Sequence, residues 1–506
     1  MLNRVQPLSL DDFSKGLVTG ADILDSKKNQ SPNCLNVKWT FDDTLQKRLG
    51  SSTTNSVALQ GTGGWAMFDF GATNLRWVTV SAGTGIYASS NGGTTFVVVA
   101  TTRTQSYQYF ERSKNVLIAT SEAKDNTLFW AGSAGTFFEH LAINSAPSAK
   151  YCINYQGFLI LLNVTNSAGT IRPRGFYYED ENSQLTGDWS DAFDLPSSAD
   201  DEVTTAFILT KRLYVSTRYR IFRVTFVGGN PDWSYLQVKD WGFVPRTVRK
   251  ITFKEGEVVV GMDWNRRIRV FDGSDDLIAS DNIENDNSMS EFAIEKVSYS
   301  GSGLIVSHAE IDTNEQEYRL NVALGTGSTE TTHGILLNGR TLAMYPYSNQ
   351  LYQSMVMADS GGRQRLLACD RSGWVHILNS GNIDAGVTAI NDVWDSPFIF
   401  SKVPGAVTKG QNISLYFTPS SSGTLTFQDR VELSSVYGEV KGRIPLVTTN
   451  SVTQIVFSQD IPSVQNIYQF RITSSSSTAN PWEMTRVDLY GAALGFGKGG
   501  PSGQSR

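Results

Sequence analysis

Several residue types on which small proteins lean are scarce in this chain of 506 residues. Its three cysteines, Cys34, Cys152 and Cys369, are odd in number and far apart, so no disulfide framework is implied. Its four histidines, His140, His308, His333 and His376, form no HExxH or HxH pattern and have no cysteine pair beside them. No metal or cofactor is therefore expected. No apolar run approaches the roughly 18 residues of a spanning helix, so no membrane insertion is expected. Charged residues make up 18% and aromatics 11%, with 45 glycines against 15 prolines, which excludes whole-chain disorder and collagen-like structure. The opening stretch MLNRVQPLSLDDFSKG is polar, so no secretory signal is expected and folding is placed in a cytosol. Also missing are a GxSxG elbow and a GxxxxGK[ST] loop. Two facing carboxylates would suffice for glycoside hydrolysis, yet among 49 acidic residues no pair stands out. No catalytic residue is assigned, and no enzyme activity is expected.

What the chain does have is strands. Short runs of Val, Ile, Tyr, Phe and Thr alternate with Gly, Asn, Asp and Ser turns, and almost nothing shows a sustained helical period. One unit recurs: an apolar strand, a polar turn, then a second strand rich in aromatic or β-branched residues. It starts at Arg76, Asn115, Phe158, Arg212, Val258, Leu304 and Arg365, with spacings of 39, 43, 54, 46, 46 and 61 residues. A period of roughly 40–50 residues with several strands in each is the signature of β-propeller blades. Radial packing also gives marginal hairpins a partner on both faces. Aromatics such as Phe129, Trp130, Tyr177, Tyr178 and Phe271 are expected to fill the gaps between blades. The acidic stretch from Glu179 to Glu202 reads as a loop between blades.

After Ser380 the strands shorten and Ser/Thr/Gly turns crowd in, the texture of a β-sandwich. The expected fold is all-β: residues 1–50 an arm and first strands joining the propeller, 51–394 an irregular β-propeller of about six to eight blades, 395–492 a β-sandwich, and 493–506 a flexible tail.

Two local features invite a functional reading. Ser89-Ser90-Asn91-Gly92-Gly93-Thr94-Thr95-Phe96 resembles the Asp-box turn of sialidase-like propellers, with Asn91 in the Asp place. In that family the turn is a folding device away from catalysis, and physically it is a hairpin turn that needs glycine at positive φ. The segment from Lys211 to Arg269 holds 13 Lys and Arg, including Arg218, Arg220, Arg223, Arg266, Arg267 and Arg269, interleaved with Tyr214, Tyr219, Trp241 and Trp264. It reads either as a polyanion or partner surface or as solvated strands paired with nearby carboxylates, the ordinary fate of such charge. The whole chain carries a net charge of −6, which argues against a general nucleic-acid binder.

The N-terminus is the most distinctive part. Phe13-Ser14-Lys15-Gly16-Leu17 is followed by Asp22, Asn33-Cys34-Leu35-Asn36-Val37, Asp42-Asp43 and Leu45-Gln46-Lys47-Arg48-Leu49-Gly50. This resembles the opening of tailed-bacteriophage β-propeller virion proteins, the tail nozzle (tail tubular protein B-like) and packaged-DNA-stabilisation group. Lys15 stands where that pattern has glycine, and Leu49 where proline is common. Phe271-Asp272-Gly273, Asp370-Arg371-Ser372-Gly373-Trp374-Val375, Asp384-Ala385-Gly386 and Trp394-Asp395-Ser396-Pro397 continue the likeness in the same order. The resemblance implies a structural tail protein, assembled in a host bacterial cytoplasm and carried in the virion. Its partners would be its own copies in a ring, six-fold in those relatives, a portal-adaptor protein, tail fibre or needle proteins, and genomic DNA in passing. An anionic conduit would not trap that DNA. The alternative is a glycan-binding or glycan-cleaving propeller.

Overall fold

In a computed structural model the described residues are 8–493, without 20–26, 28, 41, 62, 73–74, 137, 141–145, 167, 181–188, 229–231, 254–255, 285–289, 291, 326–327, 329, 349–351, 386–387, 401–407, 421–422, 432–435, 447–454, 461–463, 466 and 475–481. Of the tail expected over 493–506, only Ala493 lies inside them, as the last residue of a strand.

Among the described residues, seven antiparallel sheets of four strands follow one another along the chain. We number them blades 1 to 7: 64–100, 108–140, 148–194, 203–239, 249–278, 308–348 and 352–378. Blade 7 takes its outer strand, Ser51–Thr53, from before blade 1, pairing His376 with Thr53 and Leu378 with Ser51. Inner strands of successive blades touch around the circle, and that of blade 7 lies against blade 1. The chain is a seven-bladed β-propeller.

Second strands are the most apolar because each is covered on both faces. Phe158–Thr165 and Gly256–Met262 are buried through most of their length, which is why they read as continuous apolar runs. Aromatic side chains fill the gaps as expected: Trp130 of blade 2 meets Phe70 and Trp77 of blade 1, and Phe271 of blade 5 meets Tyr214 of blade 4. Outer strands are shorter and wetter, down to the two residues Glu139–His140 in blade 2.

The turn between second and third strands is built alike in three blades. Asn166, Asp263 and Asp370 each end a second strand, and Oδ1 accepts the backbone N–H groups two and four residues on. The residue three on sits at positive φ: Gly169 at 80°, Arg266 at 68° and Gly373 at 82°. The Asp-box-like turn of blade 1 works similarly, with Asn91 Oδ1 accepting from Ser89 Oγ at 2.8 Å and Thr95 N–H at 3.0 Å.

Six of the seven sequence repeats fall on second and third strands. The copy from Leu304 lands one strand early, on the first and second strands of blade 6, His308–Asp312 and Glu317–Val322. The true second strand there carries Glu317, Arg319 and Asn321, buried polar residues that dilute the apolar signal. The acidic stretch is corrected in part: Glu179 and Asp180 end the third strand of blade 3 and Ser190–Asp194 is its fourth, 181–188 lie outside the described residues, and only 195–202 run between blades.

Two further sheets form the sandwich. One orders Val37–Trp39, Leu45–Lys47, Glu483–Ala493, Thr408–Thr418 and Ile455–Asp460; the other orders Cys34–Leu35, Val393–Asp395, Ile467–Ser474, Thr424–Val431 and Val440–Pro445. Ile413, Leu415, Phe417, Phe427, Phe470, Ile472 and Trp482 fill the space between them. The N-terminal segment is thus divided, against the expectation that 1–50 joins the propeller. Residues 34–47 supply strands to both sandwich sheets, and Ser51–Thr53 closes blade 7. The sandwich also begins at Val393, two residues before the expected 395. Apolar hairpins such as Val37–Lys47 state that they need a partner and not which one.

The sandwich is seated on blade 6. Asn36 N–H donates to Pro346 O at 3.0 Å and Leu17 N–H to Met344 O at 2.9 Å, covering the outer strand of that blade. One continuous apolar cluster joins Val260 and Ile268 of blade 5 and Tyr318 and Ile335 of blade 6 to Val37, Leu45 and Trp394.

Candidate functional site

The basic run is spread along two adjacent blades. Arg218 and Arg220 lie in the turn between the second and third strands of blade 4, Arg266 and Arg267 in the same turn of blade 5, and Arg223 and Arg269 in the third strands. The Arg218 guanidinium lies 4.6 Å from the Trp264 ring, and Arg220 Nη1 donates to Pro196 O at 2.8 Å. Arg266 Nη1 donates to Glu295 O at 2.7 Å, Arg267 pairs with Glu284 at 3.2 Å, and Arg269 holds Asp263 and Asp276 at 2.6 Å each. Arg223 stands opposite Leu236 on the outer strand. Arg218 reaches the neighbouring blade, Arg220 and Arg266 reach the segments between blades, and Arg223 and Arg269 stay within their own blades.

A denser set of charges lies where propeller, arm and sandwich meet. Arg48 spends its five N–H donors there: Nε on Asn36 Oδ1 at 2.7 Å, Nη1 on Asp384 Oδ1 at 2.9 Å and Leu49 O at 3.0 Å, Nη2 on Asp384 Oδ2 at 2.5 Å and Ser348 O at 3.0 Å. Lys47, 1% exposed, reaches Asp392 at 3.0 Å, and the other oxygen of that carboxylate accepts from Trp482 Nε1 at 2.7 Å. Asp395 takes Arg471 Nε at 2.7 Å and Asn33 Nδ2 at 3.2 Å. Lys38 meets Glu317 of blade 6 at 3.2 Å. Gly50 packs so closely on residue 383 that a Cβ there would lie 2.1 Å from Ile383 O. Every one of these side chains belongs to 33–50, 384–395 or the strands they touch, so the two ends of the propeller are locked by buried, fully bonded charge.

The propeller axis holds a cavity of about 530 Å³ lined from the inner strands of all seven blades and the segment leading into blade 5. Carboxylates, cations and tyrosines share its wall. Glu310 and Arg249 pair at 3.2 Å. Tyr109 and Tyr151 meet edge to face with centroids 4.6 Å apart. Arg246 reaches across from blade 5, its guanidinium 3.9 Å from the Tyr107 ring before blade 2 and Nη2 donating to Gln353 O of blade 7. His308 is buried, and burial together with Arg246 and Arg249 holds its imidazole well below the usual range. Arg246 and Arg249 belong to the basic run and His308 to the four histidines, but the sequence did not bring them together, because the wall is assembled from separate strands of all seven blades. The legible hint is Val244-Pro245-Arg246-Thr247, a turn that puts Arg246 at φ 67°, where glycine is usual after proline.

Glu111, from the inner strand of blade 2, is lifted to about 8 by burial, against backbone N–H groups that favour its anion. The folded protein therefore keeps a proton that an unfolded glutamate releases near about pH 4.3. Stability must fall as pH rises from about 5 to about 8. Glu111→Gln is expected to flatten that fall, seen as urea midpoints that differ less between the two pH values than those of the parent; parallel pH slopes would sink the assignment.

The other histidines are placed individually. His376 bridges Asp370 at 3.0 Å and Thr53 at 3.2 Å across the closing strand, and His333 contacts Thr332 at 3.0 Å. The side chain of His140 lies outside the described residues. Among the described residues no cluster of His, Cys, Asp or Glu suits a metal, and the three cysteines are unpaired.

No family model and no curated protein matches the chain. Solved structures similar to it include BBS1N in complex with ARL6DN (9% identity over 65% of this chain and 97% of that one, TM-score 0.39). Others are the extracellular domain of the one-component system BT4673 from B. thetaiotaomicron (7%, 89% and 62%, TM-score 0.41) and the exo-β-1,3-galactanase Pc1,3Gal43A from Phanerochaete chrysosporium with β-1,3-galactotriose (9%, 71% and 98%, TM-score 0.26). The fold assignment rests on the strand pairing of the chain itself.

Proposed function

We propose that this chain is a structural protein of a bacteriophage tail, a nozzle or head-to-tail ring component whose copies surround the path of the genome and dock an adaptor and fibres. The observation that carries this reading is where the family-like residues lie. Asn33 bonds Asp395, Cys34 pairs with Trp394 and Arg48 with Asp384, while Asn36, Lys47 and Gly50 lie against Asn391, Asp392 and Ile383 beside those later motifs. Residues spelled out in the same order as in the phage propeller proteins are thus the ones that fix sandwich to propeller in this chain. A ring subunit needs a fixed angle between its parts, because a heterologous interface closes only if each copy repeats the same rotation. Buried, saturated ion pairs hold such an angle better than an exposed linker. The propeller axis itself, crossed by Arg246 and enclosing about 530 Å³, admits no duplex. In this reading the conduit is the hole at the centre of the ring.

The test is the native mass of the purified protein with negative-stain class averages, alone and mixed with a portal-adaptor complex. Closed rings built of 55.6 kDa subunits in either sample are the expected result. A protein that stays monomeric in both, and that cleaves or specifically retains glycans, would replace this reading with the glycan one.

A further inference from the structure

We infer that the axial cavity is a binding site for a small hydroxylated carboxylate, a sugar acid in chemical class, with Arg246 as its counter-charge. The inference is independent of the tail reading.

It begins with a charge that the protein leaves unmatched. Arg249 has Glu310 at 3.2 Å, but among the described residues Arg246 forms no ion pair. Its partners are the face of Tyr107 and the carbonyl of Gln353, and its Nη1 is buried without a hydrogen-bond acceptor. A guanidinium taken out of water without an anion is costly. A cation–π contact recovers only part of that. His308, the next basic group on that side, is held neutral and adds no competing charge.

The backbone makes the same point. Arg246 occupies the third position of the Val244–Thr247 turn at φ 67°, where a side chain brings strain that glycine would relieve. A strained position given to a long cation, aimed across a cavity, is a position kept for the cation.

The wall then selects the ligand. One unmatched positive charge suits a carboxylate rather than a phosphate dianion, and the planar fork of arginine suits it geometrically. The rest of the wall adds the Thr205 hydroxyl and the Glu111 carboxyl, which is protonated near neutrality and thus a donor. Phe68 and Phe110 supply apolar faces on which the edges of a sugar ring rest. A volume of about 530 Å³ lies within the range of small-ligand sites.

The full-length protein should be titrated with glucuronate and gluconate, and in parallel with glucose, acetate and inorganic phosphate, reading thermal midpoint and tryptophan fluorescence. Trp65, edge-on to Tyr107 at 5.1 Å, reports on the Arg246 side of the cavity. A saturable response to a sugar acid, at least tenfold tighter than to glucose or acetate, is expected. Arg246→Gln should abolish it while leaving the ligand-free midpoint unchanged or higher, since an uncompensated buried charge has been removed. If that variant does not fold, competition decides the matter in the parent protein, where unlabelled glucuronate must displace a fluorescent uronic-acid probe and glucose must not. No saturable response to either acid, a preference for phosphate, or an undiminished response in Arg246→Gln would overturn the inference.

Discussion

Replacing Arg48 by alanine should destabilise the folded protein by about 3–5 kcal/mol, the cost of leaving Asp384 buried and unpaired. The size follows from the geometry, in which one guanidinium saturates a carboxylate from the far end of the propeller and also holds Asn36, Leu49 and Ser348. Arg48→Lys should lose somewhat less, because one ammonium keeps the charge but cannot span the same acceptors. The informative variant is the double replacement Arg48→Met with Asp384→Leu. Removing both charges together spares the uncompensated ion, so it should recover much of the loss. Urea unfolding of the three variants measures this directly. A double variant no more stable than Arg48→Ala would show that the pair matters for its hydrogen bonds and not for its charge balance.

Gly50→Ala should cost about 1–3 kcal/mol or more, the range for atoms forced into a packed site. Gly50 has no positive φ to explain it. The reason is proximity: its N–H donates to Gly381 O and Ser380 N–H donates to its carbonyl, both at 2.9 Å. A methyl group 2.1 Å from Ile383 O must push these two backbones apart. Since Ser51–Thr53 follows at once, the damage should fall on the closing strand. Limited proteolysis is expected to cut the variant first around residues 50–60 or 375–390. Unchanged stability would mean that the two segments have room to separate.

How far the fold could be read before it was seen depended on how local each signal was. The second strands were visible because burial on both faces leaves an apolar run in a single stretch of sequence. Blade 6 was misregistered because its second strand spends Glu317 and Arg319 on ion pairs with Lys38 and Asp312, and a buried charge looks like an exposed one in sequence. The outer strands, such as Glu139–His140, are too short to stand out. Residues 34–47 were given to the wrong body for a different reason: the hairpin is evident, but its neighbour is Glu483–Ala493, more than 400 residues away. The axial cavity was beyond reach for the same reason in stronger form, since seven separate strands build one wall. By contrast the Lys47-Arg48-Leu49-Gly50 motif was read as letters in a pattern, and its chemistry became visible only when Asp384 and Asp392 arrived beside it.

The pairing of Thr53 with His376 also carries a timetable. The first strand of the propeller to leave the ribosome is the last to find its partner, 323 residues later. At roughly 5–20 residues per second the strand waits about 15–65 s before its mate exists. During that interval the Ser51–Thr53 strand has no mate of its own and is free to pair with the corresponding strand of another nascent chain. Closure is therefore the concentration-sensitive event in making this protein, and a low density of nascent chains should favour closed monomeric propellers over strand-exchanged ones.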